Sequence, residues 1–111
     1  MKQVIAIDID NTLTENYSFG DYIDHPPSHW VEVMRNLKPR QDMIDYVNEL
    51  ASDNNNLVYI YTARDDVYES VTIEWLKKHK VNYEYVQMKK LFFHILIDDR
   101  TVTPNELVGK E

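Results

Sequence analysis

The sequence predicts an α/β domain built on a mostly parallel, doubly wound sheet, and three observations predict it. Short apolar runs alternate with stretches of helical periodicity, the pattern of repeated strand–helix units. Three of the runs end in residues that can do chemistry. Val4-Ile5-Ala6-Ile7 leads into Asp8 and Asp10, Leu57 to Tyr61 into Thr62-Ala63-Arg64, and Phe93 to Ile97 into Asp98-Asp99. The chain has 111 residues. That length suits one core of about four or five strands and leaves no room for a second domain, so 1–111 reads as a single domain.

In chain order, Val4 to Ile9 is the first strand, and its continuous apolar run suits a parallel strand covered on both faces. Leu13 to about Asp24 reads as a loop, with Tyr17 to Ile23 a candidate hairpin turning at Gly20-Asp21. His25-Pro26-Pro27 breaks the chain, and Ser28 is placed to N-cap a short helix from His29 to about Asn36. Pro39 opens a second helix through about Ser52, with Met43, Val47, Leu50 and Ala51 on its core face. Leu57 to Tyr61 is the second strand. Asp65 or Asp66 then caps a helix to about His79, whose buried stripe is Val67, Val71 and Trp75 with Leu76 beside it. Val81 to Val86 is the third strand and Phe93 to Ile97 the fourth, and Pro104 to Leu107 starts a terminal helical turn.

Nineteen acids against twelve Lys and Arg give a formal net charge of −7, which argues against a broad nucleic-acid surface. The chain has no Cys, so disulfides and thiolate metal sites are excluded. No apolar run approaches the roughly 18 residues of a membrane span. The acids of the first strand do not suit a secretory leader. The expectation is a cytoplasmic protein with no membrane partner.

Open parallel sheets form their sites beyond the carboxyl ends of the strands. If the three strands with polar tips lie side by side, Asp8, Asp10, Thr62, Asp98 and Asp99 converge there. Such a carboxylate cluster needs a cation, and hard oxygen ligands without Cys point to Mg²⁺. An EF-hand reading of Asp8, Asp10 and Thr12 fails, because Leu13 replaces the needed Gly and Phe19 the final Glu, and a strand precedes in place of a helix. A zinc site on His25 and His29 is disfavoured, since Pro26 and Pro27 keep the pair off one helix.

The series Asp8-Ile9-Asp10-Asn11-Thr12-Leu13-Thr14, then Thr62, then Lys89-Lys90, then Asp98-Asp99 resembles the haloacid dehalogenase superfamily of phosphohydrolases, in particular its small members without a large cap domain. The resemblance runs from about Lys2 to Leu107. It implies a three-layer, Rossmann-like sheet in the order 3-2-1-4, with a small flap and lid insertion over about 14–38 in place of a cap. It also implies a Mg²⁺-dependent phosphomonoesterase. Asp8 would attack phosphorus to form an aspartyl-phosphate, Asp10 would act as general acid and base, Thr62 would bind a phosphoryl oxygen, and Lys90 would neutralise charge. Mg²⁺ would be held by the Asp8 carboxylate, the Asp10 main-chain carbonyl and Asp98, with Asp99 assisting. Asn11, Thr62, Ala63, Arg64 and Lys89 would lie on the substrate side.

Two departures from the family pattern stand out. Close relatives carry their lysine in a Gly-Lys-Pro step eight residues before the first Asp of the pair; Lys90 has that spacing, but the step reads Lys89-Lys90-Leu91, which leaves Lys89 as an alternative. Asn11 stands where many members have Gly, and Asn tolerates unusual backbone angles.

Several residues admit two readings. Arg64 is either a substrate contact or a surface residue paired with Asp65 or Asp66. Trp30, Tyr17 and Tyr22 either stack on a substrate ring or, for Trp30, cover the core. The substrate is a phosphorylated molecule, a small one first, with a nucleic-acid end or a glycan also compatible; oligomerisation is left open. Two competing classes share the fold. A receiver-like signalling module would place its acidic pair on the first strand and its phosphorylated Asp on the third, the reverse of the order here. A non-catalytic binding module would keep the fold and metal site without turnover.

Overall fold

A computed structural model of the chain describes residues 2–19 and 25–89, and the structural statements that follow concern those residues. The elements are β1 (Gln3–Ile7), α1 (Pro27–Arg35), α2 (Gln41–Ser52), β2 (Asn56–Tyr61), α3 (Glu69–Lys78) and β3 (Val86–Gln87), with a single 3₁₀ turn at Asp66–Tyr68 leading into α3. The fold is α/β: the three strands form one parallel sheet in the order β1-β2-β3. The strand expected at 93–97, the turn from Pro104 and the hairpin tip at Gly20-Asp21 lie outside the described residues.

Ile7, Val58 and Ile60 face a core completed by Met43, Ile44 and Val47 of α2, Trp75 and Leu76 of α3, and Ile9, Leu13 and Val81 from the connections. A second cluster joins α1 to α3 through Trp30, Met34, Tyr68, Val71 and Met88. The Trp75 indole N–H donates to the Leu37 carbonyl at 2.8 Å, tying α3 to the chain that leaves α1.

Five local expectations are corrected. The apolar run of β1 does not signal burial on both faces among the described residues: Ile7 is buried, whereas Val4 is 60% exposed and Ala6 is exposed. Ser28 does not cap α1. The helix begins at Pro27, whose fixed φ and missing N–H suit a first helical position. The third strand is only Val86–Gln87. The 81–85 segment instead lends isolated hydrogen bonds to β2, with Glu84 N–H donating to Val58 and Ile60 N–H donating to Tyr85. Val67 leaves the expected buried stripe and is 57% exposed, because the 3₁₀ turn puts the neighbouring Tyr68 inward instead. Asp65 caps the 3₁₀ turn, its side chain accepting from Val67 N–H, whereas α3 itself begins after Tyr68 with no side-chain cap.

Pro39 does not start α2, which begins at Gln41; it forms a short antiparallel bridge with Thr14, flanked by Glu15 N–H to Lys38 and Arg40 N–H to Leu13. This bridge closes the segment between Thr14 and Pro39 at its base, so α1 is presented from an anchored stem.

Candidate active site

Parallel pairing decides what meets at the sheet edge. Ile7 is in register with Ile60, so Asp8 leaves β1 beside the point where β2 passes into Thr62. The chain then turns at once: the N–H groups of Thr12, Leu13 and Thr14 all point to the Ile9 carbonyl at 3.1, 2.8 and 3.2 Å. Asn11 makes that turn possible with φ 61°, the left-handed region in which Asn is less costly than most residues. Its amide donates to Thr14 Oγ1 at 2.9 Å and its side-chain oxygen accepts from Tyr17 N–H at 2.8 Å. Asn11 thus braces the loop after Asp10. Ile9 and Leu13 are buried beneath the turn and anchor it.

Asp8 accepts from its neighbour's amide, Ile9 N–H, at 2.8 Å. Asp10 is gripped from the other strand end. Arg64 donates from Nη2 to Asp10 Oδ1 at 2.6 Å and from Nε to Oδ2 at 3.0 Å, a two-point pairing. The third arm of the guanidinium, Nη1, donates to Thr72 Oγ1 on α3 at 2.9 Å. The Arg64 side chain is 2% exposed and that of Asp10 21%. Arg64 is therefore neither a surface residue nor a partner of Asp65 or Asp66; burial makes it seek the carboxylate that can satisfy both its inward N–H groups.

Thr62 is buried, and its hydroxyl oxygen accepts from Arg64 N–H at 3.2 Å, which leaves its O–H proton to be donated to another oxygen. Ala63 is exposed between them. The loop after β3 follows the same path: Thr62 N–H donates to Gln87 and Lys89 N–H to the Arg64 carbonyl at 3.0 and 2.9 Å. The Lys89 ammonium, however, turns away to Asp66 at 3.2 Å on an exposed side chain, and this pairing, by hydrogen bond and by charge, holds its pKa above the ordinary 10.5. Lys89 stands outside the Asp10–Arg64 contact. Lys90, Asp98 and Asp99 lie outside the described residues.

Among the described residues no group of three His, Asp or Glu side chains converges on one point. Two hard oxygen donors stand at the β1 end, the Asp8 carboxylate and the Asp10 carbonyl, a set whose chemistry fits Mg²⁺ and not a soft metal. Of the two readings of Trp30, the core one holds: it is 3% exposed and belongs to the second core cluster. His25 and His29 stack ring on ring, centroids 4.0 Å apart, beside Trp30. Thr72 is the site residue that sequence reasoning missed. It reads as an ordinary interior helix position, and only the fold brings it to Arg64.

No family model and no curated protein matches the sequence. Among solved structures, the chain is similar to a target protein from Vibrio cholerae, with a TM-score of 0.77 and 26% identity over 100% of this chain and 90% of that one. It is also similar to a chain in the structure of a Pnkp1/Rnl/Hen1 complex, with a TM-score of 0.59 and 18% identity over 99% of this chain and 34% of the other. That second likeness is one of fold alone.

Proposed function

We propose that the protein is a Mg²⁺-dependent phosphomonoester hydrolase of the haloacid dehalogenase type, working through an aspartyl-phosphate on Asp8. The observation that carries the reading is the junction of two adjacent parallel strand ends, where the Asp8–Asp10 pair lies beside Thr62 and the Arg64 fork holds Asp10 by both oxygens. The buried fork fixes the orientation of the Asp10 carboxylate beside the end of β2. In this reading the sheet continues past β1 with the 93–97 strand, giving the order 3-2-1-4 and bringing Asp98 and Asp99 to the same edge.

In the reaction, an Asp8 oxygen bonds to phosphorus as the ester P–O bond breaks, and the leaving oxygen takes a proton from Asp10. Asp10 then accepts a proton from the water that attacks the aspartyl-phosphate, and the bond from phosphorus to Asp8 breaks to release phosphate. Thr62 donates its hydroxyl proton to a phosphoryl oxygen, and Lys90 balances the charge gathered there. The Asp8 carboxylate and Asp10 carbonyl, with Asp98 and Asp99, would hold Mg²⁺. When bound, the ion supplies neutralisation of the anionic ester so that a carboxylate can approach it. A chain without Cys suits the reducing, cytoplasmic setting of such an enzyme.

The test is phosphate release from a panel of phosphomonoesters with and without Mg²⁺. Asp10→Asn is expected to lower kcat by about 10²–10⁴-fold, the range for loss of a general acid and base. Asp8→Asn removes the nucleophile and is expected to abolish turnover. Folded protein that binds Mg²⁺ yet releases no phosphate from any ester would replace this reading with that of a binding module.

A further inference from the structure

Asp10 and Arg64 line an open pocket of about 400 Å³, and among the described residues its other walls are Ala63, Asp65, Val67 and Tyr68. That volume exceeds what a phosphoryl group needs, so the pocket has room for the group the phosphate leaves behind. Away from Asp10 and Arg64 the walls supplied by the described residues are mostly apolar. Ala63 is exposed, Tyr68 is held in the second core cluster, and Val67 is 57% exposed. A single exposed Val is ordinary on a protein surface. This one is held on a 3₁₀ turn that Asp65 pins through Val67 N–H at 3.2 Å, and the turn runs straight into α3. It is an apolar contact fixed in place on the pocket that Asp10 lines. The Asp65 carboxylate on the same wall disfavours a second anion, and the nearby Lys89 ammonium is already engaged by Asp66.

We propose that this pocket receives the leaving group of the phosphomonoester, and that this group is an uncharged aromatic or hydrocarbon arm packed on Ala63, Val67 and Tyr68. The inference rests on the phosphomonoesterase reading for the identity of the anionic end and adds the substrate class. It excludes sugar bisphosphates and other substrates with a second anion near the scissile phosphate. A polyol phosphate has no apolar face to offer these walls and is disfavoured with them.

The test is calorimetric binding of two inert phosphonates with the same anionic head, benzylphosphonate and methylphosphonate, in the presence of Mg²⁺. The expected result is tighter binding of the benzyl compound by about 10–100-fold, the scale of apolar discrimination in a pocket. Val67→Ser, an exposed change that leaves the core intact, is expected to reduce that ratio by about threefold or more, on the scale of losing a Val contact. A phosphonate carrying a carboxylate in place of the ring is expected to bind more weakly than methylphosphonate.

A ratio near one, a ratio that Val67→Ser leaves unchanged, or tight binding of the carboxylated compound overturns the proposal. An intact ratio in a protein that hydrolyses no ester overturns the hydrolase reading and leaves the pocket assignment standing. Failure to bind any phosphonate overturns both.

Discussion

At the scale of the residue, Arg64 is the side chain on which the site turns. Its three N–H arms reach two elements, Asp10 at the end of β1 and Thr72 on α3, and a lysine cannot reproduce that geometry. Arg64→Lys is therefore expected to lower kcat by about tenfold or more, with KM moving less, since an ammonium gives one contact where the fork gives two. Thr72→Val removes the acceptor and leaves a buried guanidinium N–H unsatisfied, a loss of about 1–3 kcal/mol in denaturant unfolding. Thr72→Ser should restore it. If Thr72→Val unfolds like wild type, the third arm of Arg64 contributes nothing to stability. The strand-end residues Asp8, Asp10 and Thr62 were legible in the sequence because an apolar run that stops at a polar side chain marks a sheet edge. The partner of Arg64 was not. It lies 54 positions away, while Asp65 and Asp66 stand next door in sequence, and only parallel pairing of β1 with β2 brings the distant carboxylate nearer than the local ones.

At the scale of the element, the sequence located the three helices of the described residues, α1 by its start signals and α2 and α3 by periodicity, and their ends were where the reading slipped. Ser28 and Pro39 were both good start signals by residue type, but Pro27 claims the first turn of α1, and Pro39 is drawn into the bridge with Thr14. The short β3 has a physical cause too. Asn82 N–H donates to Asn48 and Val81 N–H donates to Leu76, contacts to α2 and α3 that hold the start of the segment off the sheet. The end of α3 carries its own prediction. His79 lies against Trp75, ring centroids 4.4 Å apart. Burial there, and then the charge of Lys78, push its pKa below the ordinary 6.5. The unfolded chain thus binds a proton at a pH where the folded chain does not. This contribution to stability is complete above the ordinary value and is lost as pH falls from about 6.5 through the lowered one. Melting of wild type and His79→Gln, compared between about pH 7.5 and pH 5.5, should show the smaller fall for the variant. Equal falls would remove His79 from the account.

At the scale of the whole molecule, one core cluster fastens the sheet to α2 and α3, and a second fastens α1 to α3, so α3 belongs to both. Asp10 is held by Arg64 from the loop after β2, which is itself held by Thr72 of α3, and any ligand at the β1 end is thereby linked to the stability of the fold. The formal net charge of −7 adds a general term: cations of any kind relieve self-repulsion. The two effects separate in a thermal shift. A ligand that binds only the folded state stabilises it by about 2.7 kcal/mol at a hundred times its Kd, which amounts to several degrees of Tm for a domain near this size. Mg²⁺ is expected to raise Tm beyond what NaCl of matched ionic strength achieves. Asp8→Asn removes one negative charge and so shifts the baseline, which makes the increment on adding Mg²⁺ the quantity to compare. That increment should vanish in Asp8→Asn and persist in Val67→Ser, whose side chain offers no carboxylate to the ion. A rise matched by NaCl, or one undiminished in Asp8→Asn, would sink the assignment of a divalent cation to the end of β1.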